Sequence, residues 1–184
     1  LMSRSVLDFT GYDAFEAALR EAHADTMAAR PDKRPGVFKQ STNVAGDTTF
    51  VAPALVRGTL RRGFEIARGL PSPFQRAAAL MFVVAEVHPF DDGNGRIARA
   101  FMNAELVSGG QRRILIPSVF RDEYLTGLRV LTRQGHPDPF IQVLDFAQRY
   151  TAAIDFSDYD TARGALRVTN AFEDPRPDVR LRMP

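Results

Sequence analysis

The chain contains no cysteine. That excludes disulfides, thiolate nucleophiles and thiolate metal sites, and it fits a reducing compartment. Long apolar runs are missing too. The longest, Ala77 to Ala85, has nine residues, far short of the ~20 needed to span a bilayer. The N-terminus lacks the apolar core of a signal peptide, so a cytoplasmic protein with no membrane partner is expected. Its opening Leu1-Met2 fits a leftover residue or an excised domain. Charge of one sign is scarce: the net is +2 at a pI of 9.3, which leaves no electrostatic footprint for nucleic acid. No Gly-Lys pair occurs, so a Walker-type phosphate loop is excluded. Internal repeats are absent. What remains is ordinary for a soluble globular protein, 45% apolar and 25% charged. At 184 residues it is long enough for one domain, or one with a small appendage.

The periodicity is mainly helical. Residues Tyr12 to Arg30 carry Phe15, Ala18, Leu19, Ala22 and Met27 at helical spacing, with Asp13 as cap and Pro31 as stop. From Pro35 to Pro53 the character changes. Val37-Phe38 and Thr48-Thr49-Phe50-Val51 are β-type runs around Asn43-Val44-Ala45-Gly46-Asp47, and read as a short hairpin. Pro53 to Gly69 begins on a proline and ends on a glycine, as helices do. Ser72 caps a second helix through Val87, apolar from Ala77 onward except for Glu86 and therefore buried. Pro89 ends it by disfavouring helix at His88. Further helices are expected over Arg96–Val107, Phe120–Arg133, Pro139–Ile154 and Asp158–Val168, the last capped by Ser157, with an extended piece at Arg113–Ile116. The tail from Glu173, with three prolines and three arginines, should be extended or loosely attached.

The chemistry is concentrated in His-Pro-Phe-Asp-Asp-Gly-Asn-Gly-Arg-Ile-Ala-Arg, residues His88 to Arg99. A titratable His is followed four residues later by a carboxylate, Asp92. A Gly93-Asn94-Gly95 turn then leads into Arg96 and Arg99, whose spacing of three puts both guanidinium groups on one helix face. Such a turn leaves free N–H groups at a helix N-terminus, a ready anion site. A base, a hard-metal ligand, an anion nest and two cations suit a polyphosphate. His23, in a helical stretch, and His136, in a turn, have no such company and read as structural or surface residues.

This segment resembles the Fic family signature, His-x-Phe-x-(Asp/Glu)-Gly-Asn-Gly-Arg-x-x-Arg, with every specified position filled. The resemblance covers roughly Val37 to Pro117, and less specifically Phe156 to Phe172. It implies a mainly α fold, a Fic-like helical bundle with a short β-hairpin flap next to the active-site loop. Expected boundaries are an N-terminal helix over 1–34, a Fic domain over 35–172 (flap 35–53, signature loop and helix 88–107) and a tail over 173–184. The implied activity is protein adenylyltransfer: AMP passes from ATP to a hydroxyl of a target protein, and pyrophosphate leaves. By register, His88 is the general base and Asp92 the Mg²⁺ ligand. Gly93, Asn94, Gly95, Arg96 and Arg99 bind the nucleotide phosphates, with Asn94 adding a side-chain donor. Phe90 is a core anchor, and Asp91, at a variable position, a solvent-facing carboxylate. Phe38 and Phe50 are candidates to clamp the target's Ser, Thr or Tyr, or else pack against the helices. Strand addition along the flap would register the target without reading its sequence.

Many members carry an inhibitory helix, (Ser/Thr)-x-x-x-Glu-(Gly/Asn). No full match occurs. Thr169 to Asp174 comes nearest, with Asp in the last position and Pro175 breaking the helix. Inhibition, where present, is then expected from a partner chain or a missing N-terminal segment. Other readings within the resemblance are a different nucleotide or phosphate donor and a non-enzymatic Fic-fold binding module. A Doc-like kinase has Lys where this chain has Gly95, which speaks against that subtype. Nothing in the residues selects adenine over another base.

Overall fold

The computed structural model describes residues 11–184. They fall into two compact units, the first ending at Gln111 and the second running Arg112–Pro184. The described residues hold seven α-helices and one two-stranded antiparallel sheet. None of these helices is long and apolar enough to cross a membrane.

In the first unit, α1 (Tyr12–Thr26), α2 (Val56–Arg68), α3 (Pro73–Val87) and α4 (Asn94–Ser108) surround one apolar core. Phe15 of α1 stacks on Phe64 of α2 with centroids 4.8 Å apart, and meets Phe101 of α4 edge-on at 5.5 Å. Such pairs add about 0.5–1.5 kcal/mol each beyond the area they bury. Leu19, Leu60, Leu80, Met81, Val84, Ile97 and Met102 fill the rest, all essentially inaccessible. Helix α1 begins after Gly11 with no side-chain cap, so Asp13 lies inside the first turn and is not the cap. Helix α3 starts where Ser72 predicts. Ser72 Oγ accepts from Gln75 N at 3.1 Å and Gln75 Oε1 accepts from Ser72 N at 3.3 Å, a full capping box. Gly63 lets α2 approach α3, since a Cβ there would lie 2.6 Å from Val83 Cγ1. Buried Glu105 of α4 takes Arg76 of α3 and Arg68 of α2, tying three helices together.

The hairpin is smaller than the β-type runs suggest. Its strands are β1 (Val44–Ala45) and β2 (Thr48–Thr49), with Val44 opposite Thr49 and Ala45 opposite Thr48. Gly46, at φ +59°, makes the tight two-residue connection. Val37-Phe38 is not a strand; its β-propensity is overridden by tertiary bonds described below. A single 3₁₀ turn, Pro53–Leu55, leads into α2.

In the second unit, the extended piece Arg112–Pro117 is held by α6: Gln148 Nε2 donates to Arg112 O at 3.0 Å and Leu115 N donates to Thr151 Oγ1 at 2.9 Å. Helices α5 (Arg121–Gln134) and α6 (Asp138–Ala152) pack through Gly127, whose absent side chain leaves room for the Phe140 backbone. Helix α7 (Tyr159–Val168) is capped by Asp158, which accepts from Thr161 N at 2.8 Å, not by Ser157. The tail has no regular structure, but it is tied down. Arg182 N donates to Thr169 O at 3.1 Å, Asn170 Nδ2 donates to Arg180 O at 2.9 Å, and Leu181 packs on the cluster of Tyr150, Ile154, Ala162 and Ala171. Glu173 lies beyond the end of α7 and pairs with Arg176 at 2.8 Å, so the near-match to an inhibitory motif is not helical.

Candidate functional site

The loop between α3 and α4 carries the signature, and its two ends are both left-handed. His88 caps α3 at φ +51°, ψ +58°, and Gly93 caps α4 at φ +77°. The first is unusual for a residue with a Cβ and costs of order 1–3 kcal/mol, so the surroundings must enforce it. Glycine is needed at the second on two counts. Besides its φ, a Cβ at Gly93 would sit 3.0 Å from Met27 Sδ. Of the two signature glycines only Gly93 uses a positive φ; Gly95 lies within the first turn of α4.

Three sets of contacts hold the loop. From α4, Asn94 is buried, its Oδ1 accepting from Phe90 N and its Nδ2 donating to Phe90 O, both at 2.8 Å. The amide is thus turned away from any ligand, which differs from the side-chain phosphate donor expected at this position. From α1, fully buried His23 stacks on the fully buried Phe90 ring, centroids 3.7 Å apart and nearly parallel. His23 Nδ1 accepts from Gly36 N at 2.9 Å, which leaves the proton on Nε2 to be donated to Asp92 O at 3.1 Å. His23 is therefore a neutral structural residue, and burial lowers its pKa. From the segment before the hairpin, Lys39 N donates to Pro89 O at 2.8 Å and Lys39 Nζ donates to Val87 O at 3.2 Å. Asn43 Nδ2 donates to Phe90 O at 2.8 Å. Arg34 meets Asp91 in a two-pronged ion pair at 2.8 Å per contact, so Asp91 is half-buried and paired, not solvent-facing. Sequence reasoning gave His23 its structural role but not its partners, and passed over Arg34, Lys39 and Asn43; all four lie 45 or more residues from the loop positions they hold.

These contacts determine how the chemical groups are presented. His88 Nδ1 lies 3.1 Å from Ala85 O. A carbonyl only accepts, so Nδ1 carries the proton and Nε2 keeps its lone pair. Burial, chiefly, and the Lys39 charge lower the His88 pKa, against the Ala85 carbonyl and Asp92, which raise it. The ring is neutral at pH 7 and competent as a base. Phe50, just beyond β2, stacks on this ring with centroids 3.8 Å apart and planes 15° from parallel. Phe38 is placed differently. It lies 5.3 Å from Phe90 beneath the guanidinium groups of Arg20 and Arg57, so it packs against the helices.

Asp92 Oδ1 accepts from Gly93 N at 2.6 Å, leaving Oδ2 available. No cluster of three or more His, Asp or Glu suited to a metal exists among the described residues. A single hard carboxylate fits a Mg²⁺ ion, which takes one or two protein ligands and fills its octahedron with water and phosphate oxygens. Beside it, α4 opens at Asn94; Arg96 N and Ile97 N donate to Gly93 O at 3.0 and 3.1 Å, so the N–H groups that precede the helix's own ladder are those of Asn94 and Gly95. Arg96 is exposed and anchored through Nη2 to Met27 Sδ at 3.1 Å. Arg99 is half-buried with its guanidinium beside Gly95, where a Cβ would be 3.5 Å from Nη1. The structure therefore brings His88, Asp92, the α4 N-terminus, Arg96 and Arg99 to one loop and the first turns of one helix. Phe50 joins them, and Phe38 does not.

Comparison with known proteins gives concordant results. The family model described as the Fic/DOC family matches residues 13–106. A Fido domain-containing protein of Dictyostelium discoideum is 34% identical over 103 residues, 53% of this chain and 72% of that protein. The protein adenylyltransferase fic-1 of Caenorhabditis elegans is 34% identical over 90 residues, 46% of this chain but only 18% of its own length. Among solved structures, a Fic domain-containing signaling protein from Bacteroides thetaiotaomicron superposes with a TM-score of 0.68 at 24% identity, covering 81% of this chain and 63% of that one. BepC of Bartonella tribocorum, solved with bound AMPPNP, has a TM-score of 0.57 at 17% identity, covering 72% and 73%. At these identities the structural likeness speaks for the fold alone.

Proposed function

The chain belongs to the Fic/DOC family, and from that premise we propose that it is a protein adenylyltransferase, moving AMP from ATP to a hydroxyl side chain of another protein. The observation that carries this reading is the state of His88: Nδ1–H engaged by Ala85 O, Nε2 free, and the ring held neutral by burial. That is the form a general base must have before it accepts a proton.

The triphosphate lies along the α4 N-terminus. Backbone N–H groups at Asn94 and Gly95 take phosphate oxygens, which the missing side chain at Gly95 leaves room to approach. Arg96 and Arg99 hold the β- and γ-phosphates, orienting them as well as neutralising charge. Asp92 holds Mg²⁺, which supplies charge neutralisation at the phosphates when bound. The target hydroxyl gives its proton to His88 Nε2 as its oxygen bonds to the α-phosphorus. The α–β anhydride bond breaks and pyrophosphate leaves. Positioning and fixed positive potential supply most of the rate. Asn94 acts by pinning Phe90. The hairpin presents the target segment in extended form, and Phe50, against His88, is the side chain that meets it. Phe38 supports the loop from behind.

The test uses Mg²⁺, a lysate and ATP labelled at the α- or the γ-phosphate. Label on protein from the α-position alone supports the reading. Label from the γ-position would mean kinase chemistry. No label from either, with an active relative as positive control, would favour another donor or a binding module.

A further inference from the structure

Lysine is among the residues least often buried, and when buried it is normally paired with a carboxylate. Lys39 is 3% exposed, and its ammonium is hydrogen-bonded to neutral oxygens: Asn43 Oδ1 at 2.6 Å and Val87 O at 3.2 Å. Burial lowers its pKa, with Asp91 acting the other way. A cation so expensive to desolvate calls for a reason. Its position supplies one. Val87 is the last residue of α3, so the ammonium sits at the negative end of the helix dipole, where a cation is favoured.

The same residue donates its backbone N–H to Pro89 O at 2.8 Å. Lys39 thus grips the residue on either side of His88. Its partner Asn43 extends the grip in two directions: its side chain donates to Phe90 O at 2.8 Å, and its carbonyl accepts from Phe50 N at 3.1 Å. One buried side chain therefore connects the loop that carries the base to the aromatic ring stacked upon that base.

Resting on the adenylyltransferase reading, we infer that Lys39 is a positioning residue for His88: its buried ammonium fixes the left-handed end of α3 and sets the imidazole and Phe50 against each other. It touches neither substrate nor metal. It acts through geometry, by holding an imidazole whose backbone conformation is otherwise disfavoured, and through charge, as a cation facing a ring that must stay neutral. The charged groups that act on His88 are Lys39 and Asp92, of opposite sign.

Lys39→Met keeps the length of the side chain and removes both its donors and its charge. The expected result is a kcat about 10²-fold lower, the cost of a misplaced catalytic group, with the KM for ATP unchanged. Lys39→Arg, which keeps charge and donors, should recover part of that loss. A second readout does not depend on activity. In an NMR titration His88 of Lys39→Met should ionise at higher pH than in the wild type, because the cation that opposes imidazolium is gone. Should Lys39→Met fail to fold, Lys39→Gln carries the same two measurements. An unshifted His88 titration, or an unchanged kcat, overturns the inference. A wild-type protein that transfers no nucleotide while the titration still shifts would instead overturn the adenylyltransferase reading and leave the role of Lys39 standing.

Discussion

Replacing Asn94 by alanine distinguishes two roles for the residue at the heart of the signature. In the structure its amide makes two 2.8 Å hydrogen bonds to Phe90, one to the N–H and one to the carbonyl, in a site closed to water. Losing a neutral bond to a group that keeps another partner costs about 1 kcal/mol net, and leaving a buried N–H unpaired costs about 1–3 kcal/mol in all. The Phe90 carbonyl keeps the bond from Asn43 Nδ2, so the penalty falls mainly on the N–H. The sum is about 2–4 kcal/mol. For a chain of this size that lowers Tm by roughly 5–15 °C. Asn94→Asp should cost less, since it retains an acceptor for Phe90 N and places a carboxylate at a helix N-terminus. The assay is thermal unfolding of the three proteins, alongside their KM for ATP. An unchanged Tm with a raised KM in Asn94→Ala would refute the reasoning and restore a direct phosphate contact for the side chain.

Other outcomes follow from packing and ionisation. His23 is fully buried and its pKa is lowered by desolvation from an ordinary 6.5. The unfolded chain then binds the proton more readily, so stability should fall as the pH drops below about 6.5. Urea midpoints at pH 5.5 and 7.5 should differ less in His23→Gln than in wild type. Gly63→Ala drives a Cβ to within 2.6 Å of Val83, a stiff β-branched neighbour, and should cost about 1–3 kcal/mol by chemical unfolding. Gly58→Ala, on the same helix with open space around it, should stabilise by about 0.5–1 kcal/mol.

The parts of the fold legible in the sequence are those whose cause is local. Ser72 and Gln75 announce the start of α3 because the capping box is made by residues three apart, and Pro89 announces its end. Gly46 marks the turn of the hairpin, which a tight connection requires. Where the cause is tertiary, the sequence misleads. Val37 and Phe38 have strand propensity, but Lys39 bonds to Pro89 and Phe38 packs on Phe90, so the chain there serves the loop and not a sheet. The choice of Asp158 over Ser157 as cap of α7 is a one-residue decision between two good caps. The tail reads as loose because its prolines and arginines hide the Leu181 contact and the bonds to Thr169 and Asn170.

The candidate site divides in the same way. His88, Asp92, Arg96 and Arg99 stand in one twelve-residue motif, and their proximity follows from it. The residues that hold the motif in shape do not stand there. His23 looks like a solitary helical histidine until Gly36 N and Asp92 O are found on its two nitrogens. The amide of Asn94 could face a ligand or the chain, and only the buried Phe90 backbone decides between them.

The central claim is that His88 Nε2 removes the proton from the attacking hydroxyl. Its most direct test compares wild type and His88→Ala for transfer of α-phosphate label to protein at saturating ATP, with ATP affinity measured separately. The account predicts a rate at least about 10²-fold lower at unchanged affinity. Undiminished transfer by His88→Ala would contradict it.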